Sequence, residues 1–108
     1  MIQNRVKTKV KNGEVALGIF HCLKEPAITE MLGLAGFDFV IIDMEHSATD
    51  LADMESLSRA AQAAGLTPFV RVPSNDSATL FRVVESSNRS AVTDGWKVGR
   101  LEDFCNRI

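Results

Sequence analysis

Three strand-length apolar runs recur along this chain, VALGIF (15–20), FDFVII (37–42) and LTPFVRV (66–72), and a helix-patterned segment follows each. They recur at roughly 25-residue intervals, the spacing of strand–helix units. Such units build parallel sheets with right-handed crossovers. The second run is apolar throughout except at Asp38, the pattern of a strand covered on both faces. A closed barrel needs eight strands and about 250 residues. A chain of 108 residues therefore holds a small open sheet or the opening part of a barrel.

The intervening segments carry helix punctuation. Pro26 fits a first helical turn and Gly36 the position just past a helix end. Ile28, Met31, Leu32 and Ala35 then form one apolar face. Thr49 or Asp50 caps a helix running to about Ala64, closed by Gly65, with Met54, Leu57, Ala61 and Ala64 as its buried stripe. Asn75 or Asp76 caps a third, with Leu80, Phe81 and Val84 as its apolar side. Residues 1–14 are polar and basic, a helix or an arm on the surface. In SSNRSAVTDGWKVGRLEDFCNRI (86–108) no apolar run exceeds two residues, so no strand is expected there. A weak helix around Gly99 to Asn106 and a local packing anchor at Trp96 are expected instead.

The composition, 45% hydrophobic and 24% charged, is that of a globular chain. A net charge of −2 points to neither nucleic acid nor an anionic membrane. No apolar run approaches the ~20 residues of a membrane span, and the N-terminus carries no signal-peptide core. Cys22 and Cys105 form neither a metal-type pair nor a disulfide framework. A reduced, cytoplasmic protein is expected.

In parallel α/β folds functional groups collect at the C-terminal ends of the strands. The second run ends at Asp43, Glu45 and His46, the third at Arg71, and the first near His21 and Cys22. An imidazole takes and returns a proton near neutral pH. A guanidinium stays charged and grips a carboxylate or a developing enolate through parallel hydrogen bonds. Neighbouring carboxylates can orient the imidazole, raise its basicity or hold the water of a bound metal ion. Together these groups suit removal of a proton next to the carbonyl of a small carboxylic acid. Structural roles fit the same residues. Asp-x-Glu-His equally suits a helix-capping loop, Arg71 a partner for a surface acid, His21 and Cys22 packing or rim positions, and VPSND (72–76) a turn with a helix cap.

As a set, GIF…EPAITEMLGLAGFDFVIIDMEHSATD followed by GLTPFVRVPSND resembles the metal-dependent pyruvate aldolases of the HpcH/HpaI aldolase and citrate lyase type, over about Asn4 to Glu85. The resemblance implies the N-terminal three βα units of a (β/α)8 TIM barrel over residues 1–85, with 86–108 as a tail outside the family pattern. It implies hexameric assembly, and cleavage of a 4-hydroxy-2-oxo acid to pyruvate and an aldehyde through an enolate bound by Mg2+, Mn2+ or Co2+. His46 matches the family base, which acts through a metal-bound water. Arg71 matches the arginine that holds the pyruvate carboxylate–carbonyl side and steadies the enolate. Glu85 falls where the family has an aspartate that polarises the histidine, and is one methylene longer. Asp43 and Glu45 are expected to hold groups around the metal rather than the metal itself. The two acids that bind the metal come from later strands, beyond Ile108, so no metal ligand is expected in this chain.

Two other readings follow from the residues. One is a non-catalytic portion of such an aldolase, truncated or frame-shifted after Glu85, which reading the coding DNA past that codon in the other frames tests. Such a piece would expose a strand edge and inner barrel faces, and so be marginally stable or self-associating. The other is a response-regulator-like module. It needs paired acids at the end of the first strand, where FHC (20–22) offers none.

Overall fold

The computed structural model describes residues 4–74, 76–86 and 91–93, with only the backbone described for 84 and 91–93. Among the described residues eight elements follow one another: α1 (Arg5–Lys11), β1 (Gly18–His21), α2 (Pro26–Leu34), β2 (Phe39–Asp43), α3 (Leu51–Ala63), β3 (Thr67–Arg71), α4 (Ser77–Ser86) and β4 (Ala91–Thr93). The strands lie in the order β1-β2-β3-β4, all parallel. This is a partial TIM-barrel-like α/β fold. The three expected strands are present, with ends shifted by one to three residues. β4 corrects the expectation of a strandless tail. Its three residues extend a sheet already templated by β3, opposite Phe69, Val70 and Arg71, so they need no long apolar run of their own. Trp96, Cys105 and the Gly99–Asn106 helix lie outside the described residues.

The register sorts side chains between two faces, because residues paired across strands share a face and alternate along each strand. Val40, Ile42, Val70 and Val72 join Met54, Leu57 and Ala61 of α3 and Val83 of α4 in the larger apolar core. The opposite face carries Phe39, Ile41 and Phe69, and Val6 of α1 packs against it. There the Phe39 and Phe69 rings meet edge to face, with centroids 5.3 Å apart. The basic lead-in is thus a docked helix. Lys9 Nζ lies 2.8 Å from Asp38 Oδ1, and Asp38 also accepts the Leu17 N–H at 2.9 Å. Pro68 is tolerated inside β3 because its neighbour Thr67 donates toward β2. Pro68 therefore faces the β4 side, where pairing begins only at Phe69.

Most of the helix punctuation stands where the sequence puts it. Pro26 opens α2, Gly36 and Gly65 follow α2 and α3 with φ of 97° and 78°, and Asp50 caps α3 in a reciprocal box with Asp53. Asp76 accepts the Thr79 N–H at 2.8 Å at the start of α4.

Two helix faces need correcting. On α2, Met31 is 65% exposed and Ala35 is exposed, while Thr29 is fully buried and Leu32 and Gly33 are half-buried. The cause is the close approach of α2 to α3 at Gly33, where a Cβ would come within 2.6 Å of the Ala64 Cβ. That contact turns the helix about its axis, away from the stripe read from spacing alone. On α4, Phe81 is 65% exposed and Val83 takes the buried place, because Val83 reaches the core that β3 and α3 share.

Candidate active site at the strand ends

Asp43 organises the site. It is the last residue of β2 and sits opposite Arg71, the last residue of β3. Its carboxylate bends back over the turn that follows, accepting the N–H of Glu45 at 2.9 Å and of His46 at 3.1 Å through Oδ1. Ser47 closes the same turn by donating its hydroxyl to the Asp43 carbonyl. Across the sheet Arg71 grips the carboxylate with two parallel bonds, Nε to Oδ1 at 3.0 Å and Nη2 to Oδ2 at 2.5 Å. The Asp43 side chain is 2% exposed and that of Arg71 20%. Burial alone would push the Asp43 carboxyl up. The Arg71 hydrogen bonds, the two backbone N–H groups and the guanidinium charge outweigh it and hold the carboxyl at about 2. The same partnership raises Arg71 above its ordinary value.

Glu45 links this pair to the histidine. Its Oε1 lies 3.2 Å from His46 Nε2 and its Oε2 3.7 Å from Arg71 Nε. Glu45 Oε2 is buried without a hydrogen bond of normal length. The His46 side chain is 67% exposed, free to face a ligand. The fold therefore brings Asp43, Glu45, His46 and Arg71 to one rim. Glu85 lies on an exposed position of α4, and among the described residues no hydrogen bond joins it to His46.

The first strand contributes differently from what its residue types suggest. His21 pairs with Ile42 in register, so it points to the helix-covered face and is 3% exposed. Burial lowers its basicity, partly offset by a backbone hydrogen bond at Glu25. Cys22 is a free, exposed thiol whose Sγ lies 3.9 Å from Asp43 Oδ2. The residue of β1 that reaches the site is Phe20, whose ring centroid lies 4.9 Å from Arg71 Cζ. Sequence reasoning passed over Phe20 because it belongs to the apolar run. Its alternation with His21 was the available signal.

The described residues bring together no metal centre. Among the described residues no three of His, Cys, Asp and Glu converge on a point that could hold an ion, and the Asp43 carboxylate is already taken by Arg71 and two N–H groups. Among the described residues no helix is long and apolar enough to cross a membrane.

Comparison with known proteins matches the chain to one family. Residues 16–94 fit the profile of the HpcH/HpaI aldolase/citrate lyase family. A hydroxypyruvate/pyruvate aldolase of Paraburkholderia phytofirmans is 38% identical over 89 residues, covering 81% of this chain and 34% of that protein. A 5-keto-4-deoxy-D-glucarate aldolase of Escherichia coli is 33% identical over 82 residues, covering 76% of this chain and 32% of that protein. The crystal structure of citrate synthase SbnG superposes with a TM-score of 0.75 at 32% identity, over 83% of this chain and 36% of that one. An HpcH/HpaI aldolase from Desulfitobacterium hafniense gives 0.68 at 31% identity, over 74% and 31%. The chain spans about a third of the length of the relatives it matches. The profile match over residues 16–94 and the 38% identity to the aldolase of Paraburkholderia phytofirmans show that the chain belongs to the HpcH/HpaI aldolase/citrate lyase family.

Proposed function

We propose that this chain carries the oxo-acid-holding and proton-moving part of a carbon–carbon lyase that cleaves a 4-hydroxy-2-oxo acid to pyruvate and an aldehyde. One observation carries the reading: Arg71 is fixed at the end of β3 by Asp43 while Glu45 ties it to an exposed His46 at the end of β2. The Nη1 donors of Arg71 have no hydrogen-bond partner among the described residues, and they suit the carboxylate and carbonyl oxygens of a 2-oxo acid. In the cleavage direction a base takes the proton of the C4 hydroxyl and the C3–C4 bond breaks. Its electron pair moves toward the C2 oxygen, and C4 leaves as an aldehyde. Protonation at C3 then gives pyruvate. His46 is the proposed proton carrier, and Arg71 steadies the charge that gathers on the C2 oxygen.

Glu45 is the carboxylate within reach of His46. Glu85 remains the alternative orienting group that the resemblance assigns. Glu45→Gln and Glu85→Gln separate them, since removing the charge of the true orienting group lowers the exchange rate while the other substitution leaves it unchanged. Mg2+, Mn2+ or Co2+ remains the proposed family cofactor, and no step is derived through it because the described residues do not fit it. Self-association is proposed as well, on the exposure of Val15, Leu34, Met31 and Phe81.

Deuterium exchange into the pyruvate methyl group, read by proton NMR with Mg2+ or Mn2+ and a chelator control, tests the reading. Exchange is expected above the buffer rate, and lost in His46→Ala and Arg71→Ala. A folded chain that leaves the methyl group unexchanged refutes turnover by this chain and favours the non-catalytic reading.

A further inference from the structure

We propose that Phe20 is a positioning residue for Arg71, holding the face of the guanidinium whose edge Asp43 holds. The inference rests on the reading of Arg71 as the group that grips the oxo acid.

Three adjacent strands contribute one group each. Phe20 of β1 pairs with Ile41, on the same face as Asp43 of β2 and Arg71 of β3. Strands one and three of a sheet lie about 10 Å apart, twice the ~4.8 Å spacing. To bring its Cζ to 4.9 Å from the Phe20 centroid, Arg71 must lie across the end of β2, over Asp43. Two parallel bonds to Asp43 fix the guanidinium within its plane. They leave it free to swing about the line joining the two residues. The Phe20 ring removes that freedom from one side, and its negative face attracts the cation. What remains is an edge of N–H groups at Nη1, aimed by two constraints rather than one. A lysine could satisfy neither, since it has no plane to stack and no fork to pair.

Phe20 belongs to neither apolar cluster of the described residues, and its described ring partner is the Arg71 guanidinium.

The test compares Phe20→Leu, Phe20→Trp and site-specific pentafluorophenylalanine at position 20 in the full chain. The fluorinated ring keeps the shape and reverses the quadrupole, so it serves if the leucine variant fails to fold. The readouts are the ring-current shift of Arg71 Cζ, the exchange of Arg71 Nε–H with water, and the pyruvate affinity read from Arg71 side-chain shifts. Leucine is expected to abolish the ring-current shift. Leucine and the fluorinated ring are both expected to speed Nε–H exchange and weaken pyruvate binding by roughly two- to five-fold. Tryptophan restores both. Variants that fold with unchanged Arg71 exchange and unchanged pyruvate affinity overturn the proposal. If pyruvate leaves the Arg71 signals of the wild-type chain untouched while Phe20→Leu still loosens Arg71, the oxo-acid reading fails and the positioning role stands.

Discussion

Replacing Arg71 by methionine keeps most of the aliphatic stem and removes the charge and the fork, so it isolates the Asp43–Arg71 pair. Asp43 titrates at about 2 in the folded chain, against an ordinary 3.8. At ~1.36 kcal/mol per unit this is about 2.5 kcal/mol of stability at neutral pH. The folded carboxyl holds its proton less tightly than the unfolded one. Stability is therefore fully present above about pH 4 and drains away as pH falls toward 2. Near pH 2.5 only about 1 kcal/mol of it remains. Arg71→Met is thus expected to lose about 2 to 3 kcal/mol at pH 7, and about 1 kcal/mol or less at pH 2.5. The neutral figure sits just below the usual cost of breaking a buried pair, because two backbone N–H groups still hold the orphaned carboxylate. Urea unfolding followed by circular dichroism measures both differences, with sulfate present throughout to keep the chains folded at acid pH. A destabilisation equal at the two pH values would refute the reasoning. It would mean that Arg71 stabilises by packing its stem, and that Asp43 is not the group it serves.

Other consequences of the structure are open to simple assays. Gly33→Ala puts a methyl 2.6 Å from the Ala64 Cβ and 2.7 Å from its carbonyl oxygen. It should cost about 1 to 3 kcal/mol in a thermal melt, although alanine is the better helix former. Asp50→Ala removes the acceptor of the Asp53 N–H and should cost about 1 kcal/mol by urea titration. His21 is buried and titrates below its ordinary value, so the unfolded chain binds the proton first. Stability should fall as pH drops below about 6.5, and His21→Leu should flatten that slope between pH 7 and 5.

The sequence carried the strand–helix rhythm, the caps and the placement of Asp43 and Arg71 at strand ends, because each has a local cause. Asp50 needs only the N–H groups one turn on, and Asp43 and Arg71 come to the rim simply by ending apolar runs. What it did not carry depended on neighbours. Met31 and Phe81 sit at helix positions that spacing makes apolar faces. The faces that are buried follow from where Gly33 meets Ala64 and where Val83 meets the β3–α3 core. β4 is three residues long and takes its register from β3, so its own residues could not announce it.

The same distinction separates the two aromatic roles on the inner face of the sheet. Phe39 and Phe69 read as apolar and are apolar in use, packed edge to face above Val6. Phe20 reads the same way and stands level with Phe69, both opposite Ile41, yet it lies beside a guanidinium that arrives from two strands away. Composition, alternation and height along the strand are therefore the same for Phe20 and Phe69. The lateral neighbours divide them: Phe69 has the Phe39 ring and Val6 beside it, whereas Phe20 has Arg71 reaching across Asp43. In a parallel sheet the neighbours at one register level are the information to extract before assigning an apolar residue to the core. Here they turn the apolar end of β1 into part of the site.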